Sequence, residues 1–134
     1  TNGNDDGIGS LRFAIAQCSN PEDYIYIAEF IDSIFLVSDT IILDKNLSIF
    51  HSGNEKVVIQ TTSSSPVFKT NPGVLITLNN IEIHSGGVAS SKALLNNGNT
   101  ILWNVDIINS IPGEIPVMNT GILEISETVQ IKNQ

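Results

Sequence analysis

The sequence predicts an all-β solenoid, a stack of short coils of chain, preceded by one short helix. Three stretches, at 67–83, 94–107 and 117–131, repeat one pattern of an apolar pair, a glycine and a longer apolar run. Ile83, Ile107 and Ile131 recur at a constant interval (107 − 83 = 24 and 131 − 107 = 24). A repeat of about 20–50 residues is typical of solenoids, whose units bury their apolar faces only by stacking on neighbours. We expect about five to six coils.

The first predicted element is a short helix after a polar lead-in. Ser10 is a good helix N-cap because its hydroxyl can accept a hydrogen bond from a free N–H of the first turn. The apolar residues that follow lie at i, i+3, i+4 and i+7, one face of a helix: Leu11, Ala14, Ile15 and Cys18. No other segment of the chain is convincingly helical.

The remainder of the chain is predicted to form short strands, since runs rich in Ile, Val, Leu and Phe are separated by Asn, Gly, Ser and Pro. The repeat unit contains two or three strands and no hairpin, which favours a solenoid over a sandwich or barrel. The predicted strands are Tyr24–Ala28, Ile34–Val37, Ile41–Leu43, Leu47–Phe50, Val57–Gln60, Pro66–Lys69, Leu75–Leu78, Ile81–His84, Ala93–Leu95, Ile101–Trp103, Val105–Ile108, Val117–Met118, Leu123–Ile125 and Val129–Ile131.

Asparagines stand at equivalent bends of two repeats, Asn80 and Asn104. Asparagine tolerates left-handed backbone and hydrogen-bonds locally. In a stack of coils these two amides would lie one above the other and form a ladder. Thr128 takes the same place in the third repeat and is expected to end the ladder.

Composition and charge exclude several classes of protein. The 134 residues are 41% hydrophobic and only 15% charged, which excludes a disordered chain. No apolar run approaches the ~18–20 residues that cross a bilayer, so we predict no membrane insertion. The net charge of −8 repels phosphate backbones, so nucleic acid is not an expected partner. Cys18 is the only cysteine, which rules out an internal disulfide.

Two segments resemble a known family. The sequence NDDGIGSLRFAIA, from Asn4 to Ala16, is similar to the "G-S-L-R-x-A-I" opening of bacterial exported right-handed parallel β-helix proteins. The segment from Asp39 to Gly53 is similar to that family's "L…K-x-L-x-I-x-G" pattern, with His51 and Ser52 inserted before the glycine. The resemblance covers nearly the whole chain and is most specific in the opening motif.

The resemblance implies a right-handed, pectin-lyase-like β-helix whose N-terminal helix caps the first coil. Such proteins are mostly exported, adhesin-like proteins of the cell surface, and a minority are polysaccharide lyases or hydrolases. We therefore expect an extracellular or cell-surface location and a single domain over residues 1–134, with lead-in and cap at 1–21 and coils at 22–134. No second cap is evident, so we interpret the chain as the N-terminal part of a longer solenoid. We also expect end-to-end self-association through the uncapped C-terminal coil.

Glu82 and Asp106 are the first candidate site. They occupy matching places in successive repeats (106 − 82 = 24), and Gln130 continues the row. Carboxylates on adjacent strands, about 4.8 Å apart at the backbone, could bind calcium or raise each other's pKa. The structural alternative is a solvated row that keeps this face soluble. No cofactor is predicted, and calcium is the one left open.

Trp103 is the second candidate, since an outward tryptophan among polar residues can stack on a sugar. The alternative is a tryptophan half covered by a loop. Other chemistry-bearing residues have structural interpretations. These are an exposed or cap-bracing position for Arg12, a helix-dipole role or a calcium site for Asp5 and Asp6, coil packing or a solvent-facing position for His51 and His84, and core packing for Cys18.

Two functions follow. The first is a non-catalytic secreted or cell-surface module, an adhesin or structural stalk that contacts a glycan or a surface protein. The alternative is part of a polysaccharide-degrading enzyme with Glu82, Asp106 and Trp103 near its groove. The first is preferred because no basic residue and no acid cluster recurs convincingly along the repeats. Fold alone does not decide between them.

Overall fold

The computed structural model describes residues 3–5, 7–20, 23–37, 39–87, 91–109, 111, 115–126 and 128–133. One helix is followed by twelve strands within these residues. The elements are α1 (Leu11–Gln17), β1 (Asp23–Ile27), β2 (Ser33–Leu36), β3 (Ile41–Leu43), β4 (Leu47–His51), β5 (Val57–Thr61), β6 (Phe68–Thr70), β7 (Leu75–His84), β8 (Leu94–Asn96), β9 (Asn99–Asn109), β10 (Val117–Asn119), β11 (Ile122–Ile125) and β12 (Gln130–Asn133).

The strands form a parallel β-solenoid, as the sequence predicts. Each coil stacks on the next through three parallel ladders. The first joins β1, β4, β7, β9 and β11, and the second joins β2, β5, β7, β9 and β12. The third is a separate four-stranded sheet of β3, β6, β8 and β10. The register pairs Ile83 with Ile107 and Ile107 with Ile131, which confirms the predicted repeat interval.

The solenoid has about four turns, so the predicted five to six coils were too many. The turns differ in length, since Leu47 pairs with Ile76 (76 − 47 = 29), whereas Leu102 pairs with Ile125 (125 − 102 = 23). The longer turn includes the connections 52–56 and 62–67, which lengthen a coil without adding a rung to the stack. The number of predicted strands does not give the number of turns, because one turn is defined by which residues pair on successive strands.

Asparagine bends explain why two pairs of predicted strands are each one bent strand. The backbone is left-handed at Asn80 (φ 60°) within β7 and at Asn104 (φ 53°) within β9. Asn104 Nδ2 donates to Asn80 Oδ1 at 3.0 Å, so the predicted ladder is present. Asn80 Nδ2 also donates to the carbonyl of Gly53 at 2.8 Å. Thr128 is left-handed as well, at φ 61°.

The core lies inside the coils and is built by alternation along the strands. Leu47, Ile49, Val57 and Ile59 are buried, and the residues between them on β4 and β5 are only partly buried. Such alternation is the pattern of strands that bury one face only. Burying each such side chain contributes roughly 1.5–3 kcal/mol relative to leaving it exposed.

A second polar ladder was not predicted. Thr70, Asn96 and Asn119 occupy one inward row of the four-stranded sheet. Asn96 Nδ2 donates to Asn119 Oδ1 at 2.8 Å, and Thr100 Oγ1 donates to Asn96 Oδ1 at 2.8 Å. The intervals along this row are unequal (96 − 70 = 26 and 119 − 96 = 23), so no fixed period in the sequence marks it. The network satisfies polar groups that would otherwise destabilise the core.

Two of the repeated glycines, Gly73 and Gly121, are needed for different structural reasons. Gly73 has a φ of +82°, a left-handed conformation that glycine adopts at little cost. At Gly121 an added Cβ would lie 2.0 Å from the carbonyl oxygen of Gly98, so the coils approach too closely there for a side chain.

The helix α1 packs on the first coil through the predicted face. Ser10 Oγ accepts a hydrogen bond from the Phe13 N–H at 3.1 Å, which confirms the N-cap. Leu11 and Ile15 are buried in the same core cluster as the strands. Lys45 Nζ donates to the carbonyl oxygens of Ile15 (3.2 Å) and Cys18 (3.0 Å), which completes the C-terminal end of the helix. In the part of the chain that the structure describes, no helix is long and apolar enough to cross a membrane.

Candidate functional site

The first outer face of the solenoid carries a group of aromatic side chains, here named the aromatic face: Tyr24, Tyr26, Phe50 and Trp103. Strand alternation fixes its direction, because Ile25, Ile27 and Ile49 between these aromatics point into the core. The side chains of Tyr24, Tyr26 and Trp103 are largely exposed, and Phe50 is partly covered. Exposed aromatic side chains grouped on one face are the usual mark of a binding surface.

The ladder register arranges this face into a row. Tyr26 pairs with Phe50, Phe50 with Asn79, and Asn79 with Trp103, one side chain on each successive strand. Three strand spacings of about 4.8 Å separate the two ends, so the row runs about 14 Å along the solenoid axis. A second row beside it contains Tyr24 and its neighbours Ser48 and Thr77.

The aromatic rings pack against each other and leave a groove. The ring centroids of Tyr24 and Tyr26 are 6.3 Å apart, and Tyr26 meets Phe50 edge to face at 5.7 Å. These contacts hold the rings in place before any ligand binds. The groove between them is lined by rings and by small polar side chains, namely Tyr24, Tyr26, Ser48, Phe50, Thr77 and Asn79. It therefore offers apolar surfaces beside hydrogen-bonding groups.

Trp103 continues the row beyond this groove. Its side chain is 54% exposed, so it is neither buried nor fully free. It is paired with Asn79 and separated from Phe50 by that one polar position. The outward direction predicted for Trp103 agrees with this placement, and its role in binding stays a prediction.

The second outer face follows the Asn80 and Asn104 bends and carries four charged or ionisable side chains, here named the charged face: Lys56, Glu82, His84 and Asp106. The register pairs Glu82 with Asp106 and Asp106 with Gln130, as their spacing predicts. The bends turn the chain between the two faces, so Trp103 and the Glu82–Asp106 pair lie on different stretches of the solenoid surface.

Each carboxylate of the charged face has its own basic partner. Lys56 Nζ is 3.3 Å from Asp106 Oδ2, and His84 Nε2 contacts Glu82 Oε1. Asp106 Oδ1 is buried without a hydrogen-bond partner among the described residues. The face thus contains one Lys–Asp ion pair and one His–Glu contact on neighbouring strands, a different arrangement from two unpaired carboxylates. Within the described ranges, no three His, Cys, Asp or Glu side chains are grouped closely enough to hold a metal ion.

The acid and base of the lead-in have a structural role. Arg12 Nε donates to Asp5 Oδ1 at 2.7 Å, and Arg12 also donates to the carbonyl oxygens of Thr40 (3.2 Å) and Asp39. Asp5 Oδ2 accepts the Val37 N–H at 3.0 Å. These contacts brace the cap, as the interpretation of Arg12 predicted. They give Asp5 a role different from the predicted interaction with the helix dipole, and Asp6 lies outside the described residues.

His51 packs inside the molecule, and Cys18 is partly buried against the core. His51 is buried, and its Nδ1 lies 2.9 Å from the carbonyl oxygen of Glu55. Burial raises the pKa of the Cys18 thiol; the nearby carboxylate of Asp23 raises it further, and Lys45 opposes the change. The thiol therefore stays protonated near neutral pH, and its Sγ donates to the Ala14 carbonyl at 3.4 Å.

Tyr24, Tyr26 and Phe50 were missed as site residues. All three are aromatic residues at alternate positions of predicted strands, with inward isoleucines between them, which is the available signal. That signal gives the direction of each side chain but not its neighbours. The sequence separations from rung to rung are unequal (50 − 26 = 24, 79 − 50 = 29 and 103 − 79 = 24), so only the ladder register brings Tyr26, Phe50 and Trp103 into one row.

No protein-family model, curated protein or solved structure matches this chain. The architecture itself defines the class of protein, which is a parallel β-solenoid with one N-terminal helix. Its outer surface carries an aromatic face and a charged face.

Proposed function

We propose that this solenoid is a non-catalytic carbohydrate-binding module of an exported or cell-surface protein, an adhesin or stalk that contacts glycans through its aromatic face. The observation that carries the proposal is the row of Tyr26, Phe50 and Trp103 beside the hydroxyl and amide groups of Ser48, Thr77 and Asn79. The apolar C–H faces of sugars stack on aromatic rings, and their hydroxyls hydrogen-bond to such polar groups.

The shape and charge of the chain narrow the glycan class. The row is straight because a parallel ladder places successive side chains at equal spacing, so it suits an extended polysaccharide lying along the solenoid axis. The net charge of −8 opposes the approach of a polyanionic chain. A neutral polysaccharide is therefore the favoured ligand. The resemblance of the opening motif to exported, pectin-lyase-like β-helix proteins supports the surface location.

The test is binding of the purified chain to an array of neutral and acidic glycans, with calcium and with a chelator. Selective binding of neutral glycans is expected, and Tyr26→Ala and Trp103→Ala should each weaken it at least tenfold, about 1.4 kcal/mol. Phe30→Ala is the matched control, since Phe30 is an exposed aromatic residue in the turn after β1, outside the row. Silence across the array, or equal losses in all three variants, would reject glycan binding by this face.

The charged face supports a second candidate, a polysaccharide-degrading activity. Glu82 and Asp106 on adjacent strands, with His84 and Lys56 beside them, contain the acid and base types that lyases and glycosidases use. These contacts favour a structural role, since each carboxylate already has a basic side chain as a partner. The test is incubation of the chain with a glycan that it binds on the array. Release of reducing ends or unsaturated products would establish the enzymatic alternative, provided that the Glu82→Gln/Asp106→Asn variant releases none.

A further inference from the structure

The aromatic face carries its rings in two groups, with a polar position between them. Tyr26 and Phe50 lie on neighbouring strands, and their rings meet edge to face with centroids 5.7 Å apart. Asn79 occupies the next strand of the same row, and Trp103 the strand after it. Phe50 and Trp103 are therefore two strand spacings apart, about 10 Å along the solenoid axis. A ligand that contacts both of these rings has to pass over Asn79.

The polar side chains between the two aromatic groups are available to a ligand. Asn79 and Thr77 are partly buried and lie on the same outward side of β7. Within the ranges that the structure describes, neither of these side chains, nor that of Ser48, makes a hydrogen bond to another residue. On the charged face, by contrast, each carboxylate already has a basic partner. The amide and the two hydroxyls can therefore hydrogen-bond to a ligand without breaking a contact within the protein.

The aromatic face is uncharged where the ligand would lie. Among the described strands β1, β4, β7 and β9, the two rows of this face contain no charged side chain. Their outward residues are Tyr24, Tyr26, Ser48, Phe50, Thr77, Asn79, Ile101 and Trp103. A charged sugar would lose part of its hydration on this surface without gaining an opposite charge. The contact itself therefore favours neutral sugars.

The straightness of the row selects the linkage between the sugars. Sugars joined by equatorial 1,4 bonds form a flat, extended ribbon in which each ring is turned over relative to the one before it. Each sugar of such a ribbon advances by nearly one strand spacing, about 4.8 Å. Every second sugar presents the same side, which matches the separation of Phe50 and Trp103 by two strands. Chains with β-1,3 or α-1,4 bonds curve away from a straight line and lose this match.

We propose that the aromatic face binds four consecutive sugars of a neutral, β-1,4-linked polysaccharide along the solenoid axis. One sugar lies over each of Tyr26, Phe50, Asn79 and Trp103. The sugars at Phe50 and Trp103 stack on the rings, and the sugar between them hydrogen-bonds to Asn79 and Thr77. Contact with one aromatic group holds the chain near the other, which raises the affinity above that of either group alone. Linkage and length refine the proposed glycan binding, on which they rest.

Titration of the purified chain with β-1,4-linked oligosaccharides of glucose, mannose or xylose, from two to six units long, tests the proposal. At least one series should bind, with an affinity that rises at least tenfold from the disaccharide to the tetrasaccharide and less than threefold from there to the hexasaccharide. Glucose oligosaccharides of equal length with β-1,3 or α-1,4 bonds should bind at least tenfold more weakly than that series. Trp103 is the only tryptophan, so its fluorescence emission reports on ligand at that end of the row and should shift when the tetrasaccharide binds.

Variants at the two ends of the row test whether one ligand contacts both aromatic groups. Tyr26→Ala and Trp103→Ala should each weaken binding of the tetrasaccharide at least tenfold. At least one of the two should leave the affinity for the disaccharide within threefold, because a disaccharide does not reach both groups. Phe30→Ala is the matched control, since Phe30 is exposed but lies outside this face, and it should change neither affinity. Circular dichroism of each variant checks that the strands remain folded.

The results separate the ligand class from glycan binding itself. Three outcomes would overturn the linkage and length and leave glycan binding intact: glycans bound on the array with no binding of any β-1,4 series, equal affinity for another linkage, or no gain from disaccharide to tetrasaccharide. An unchanged emission at saturation with the tetrasaccharide would show that the ligand does not reach Trp103, which would also overturn the proposal. Absence of binding to every glycan would reject the proposed function, and the ligand class with it.

Discussion

The two ends of the solenoid meet the same physical problem in different ways. At the N-terminal end a helix covers the coil, Arg12 and Asp5 bind backbone groups of the connection between β2 and β3, and Lys45 binds carbonyl oxygens at the end of the helix. At the C-terminal end the inward residues Ile125 and Ile131 are exposed. The comparison shows that stacking, and not the repeat pattern alone, buries an inward side chain, because the side chain stays exposed where no coil or cap covers it.

The largest expected effect is a difference in the free energy of unfolding between alanine variants of two equivalent isoleucines in adjacent coils. Ile107→Ala should lower the free energy of unfolding by about 4 kcal/mol, because it leaves a cavity in a fully packed row. Ile131→Ala should cost less than about 1 kcal/mol, because that side chain is already exposed. Urea unfolding of the two variants and of the unchanged chain measures both losses. Equal losses would mean that the last coil is packed like the interior.

The ion pair at the capped end gives the next largest effect. Arg12→Met should destabilise the protein by about 3 kcal/mol, because the Asp5 carboxylate, only 4% exposed, loses its guanidinium partner. The double variant Arg12→Met with Asp5→Asn removes the buried charge and should recover most of the loss in thermal or urea unfolding. If the double variant is as unstable as the single one, Arg12 acts through packing or its carbonyl contacts instead of through charge.

Substitution of the bend residue of the last coil, Thr128, should increase the stability of the protein. Thr128 has a left-handed backbone (φ 61°), which is strained for a β-branched residue, whereas Asn80 and Asn104 occupy the same bend without that strain. Thr128→Asn should therefore stabilise the protein by about 1 kcal/mol, a rise of about 3 °C in Tm. The reciprocal variant Asn104→Thr should lower the Tm. A lower Tm in Thr128→Asn would show that the threonine makes contacts worth more than the strain.

The smallest effect concerns pH at the junction of α1 and β1. Asp23 accepts backbone hydrogen bonds from Asn20 (2.9 Å) and Ser19 (2.8 Å), and these lower the pKa of its carboxyl group. A carboxyl group with a lowered folded-state pKa stabilises the protein above its unfolded pKa, about 3.9, and loses that contribution as pH falls through the folded value. Asp23→Asn should lower the Tm slightly near pH 7 and not near pH 2. A difference that persists in acid would exclude the charge as its cause.

The two outer faces show how far the sequence leads at a site. The constant repeat interval placed Glu82 beside Asp106 correctly, because both belong to coils of equal length. It did not predict Lys56 or His84 as their partners, since Lys56 reaches Asp106 from the connection before β5 and His84 follows Glu82 on the same strand. Pair contacts of this kind depend on side-chain conformation, which spacing does not define.

The sequence alone determined the solenoid, the buried helix face at Leu11 and Ile15, the repeat interval of the last coils, and the asparagine ladder. These features depend on local periodicity and on repetition at a constant interval, both of which are visible in one chain. Only the tertiary structure decided the number of turns, the Thr70–Asn96 ladder and the row from Tyr26 to Trp103. Coils of unequal length break any fixed period, so these neighbours are defined by backbone register and not by distance along the chain.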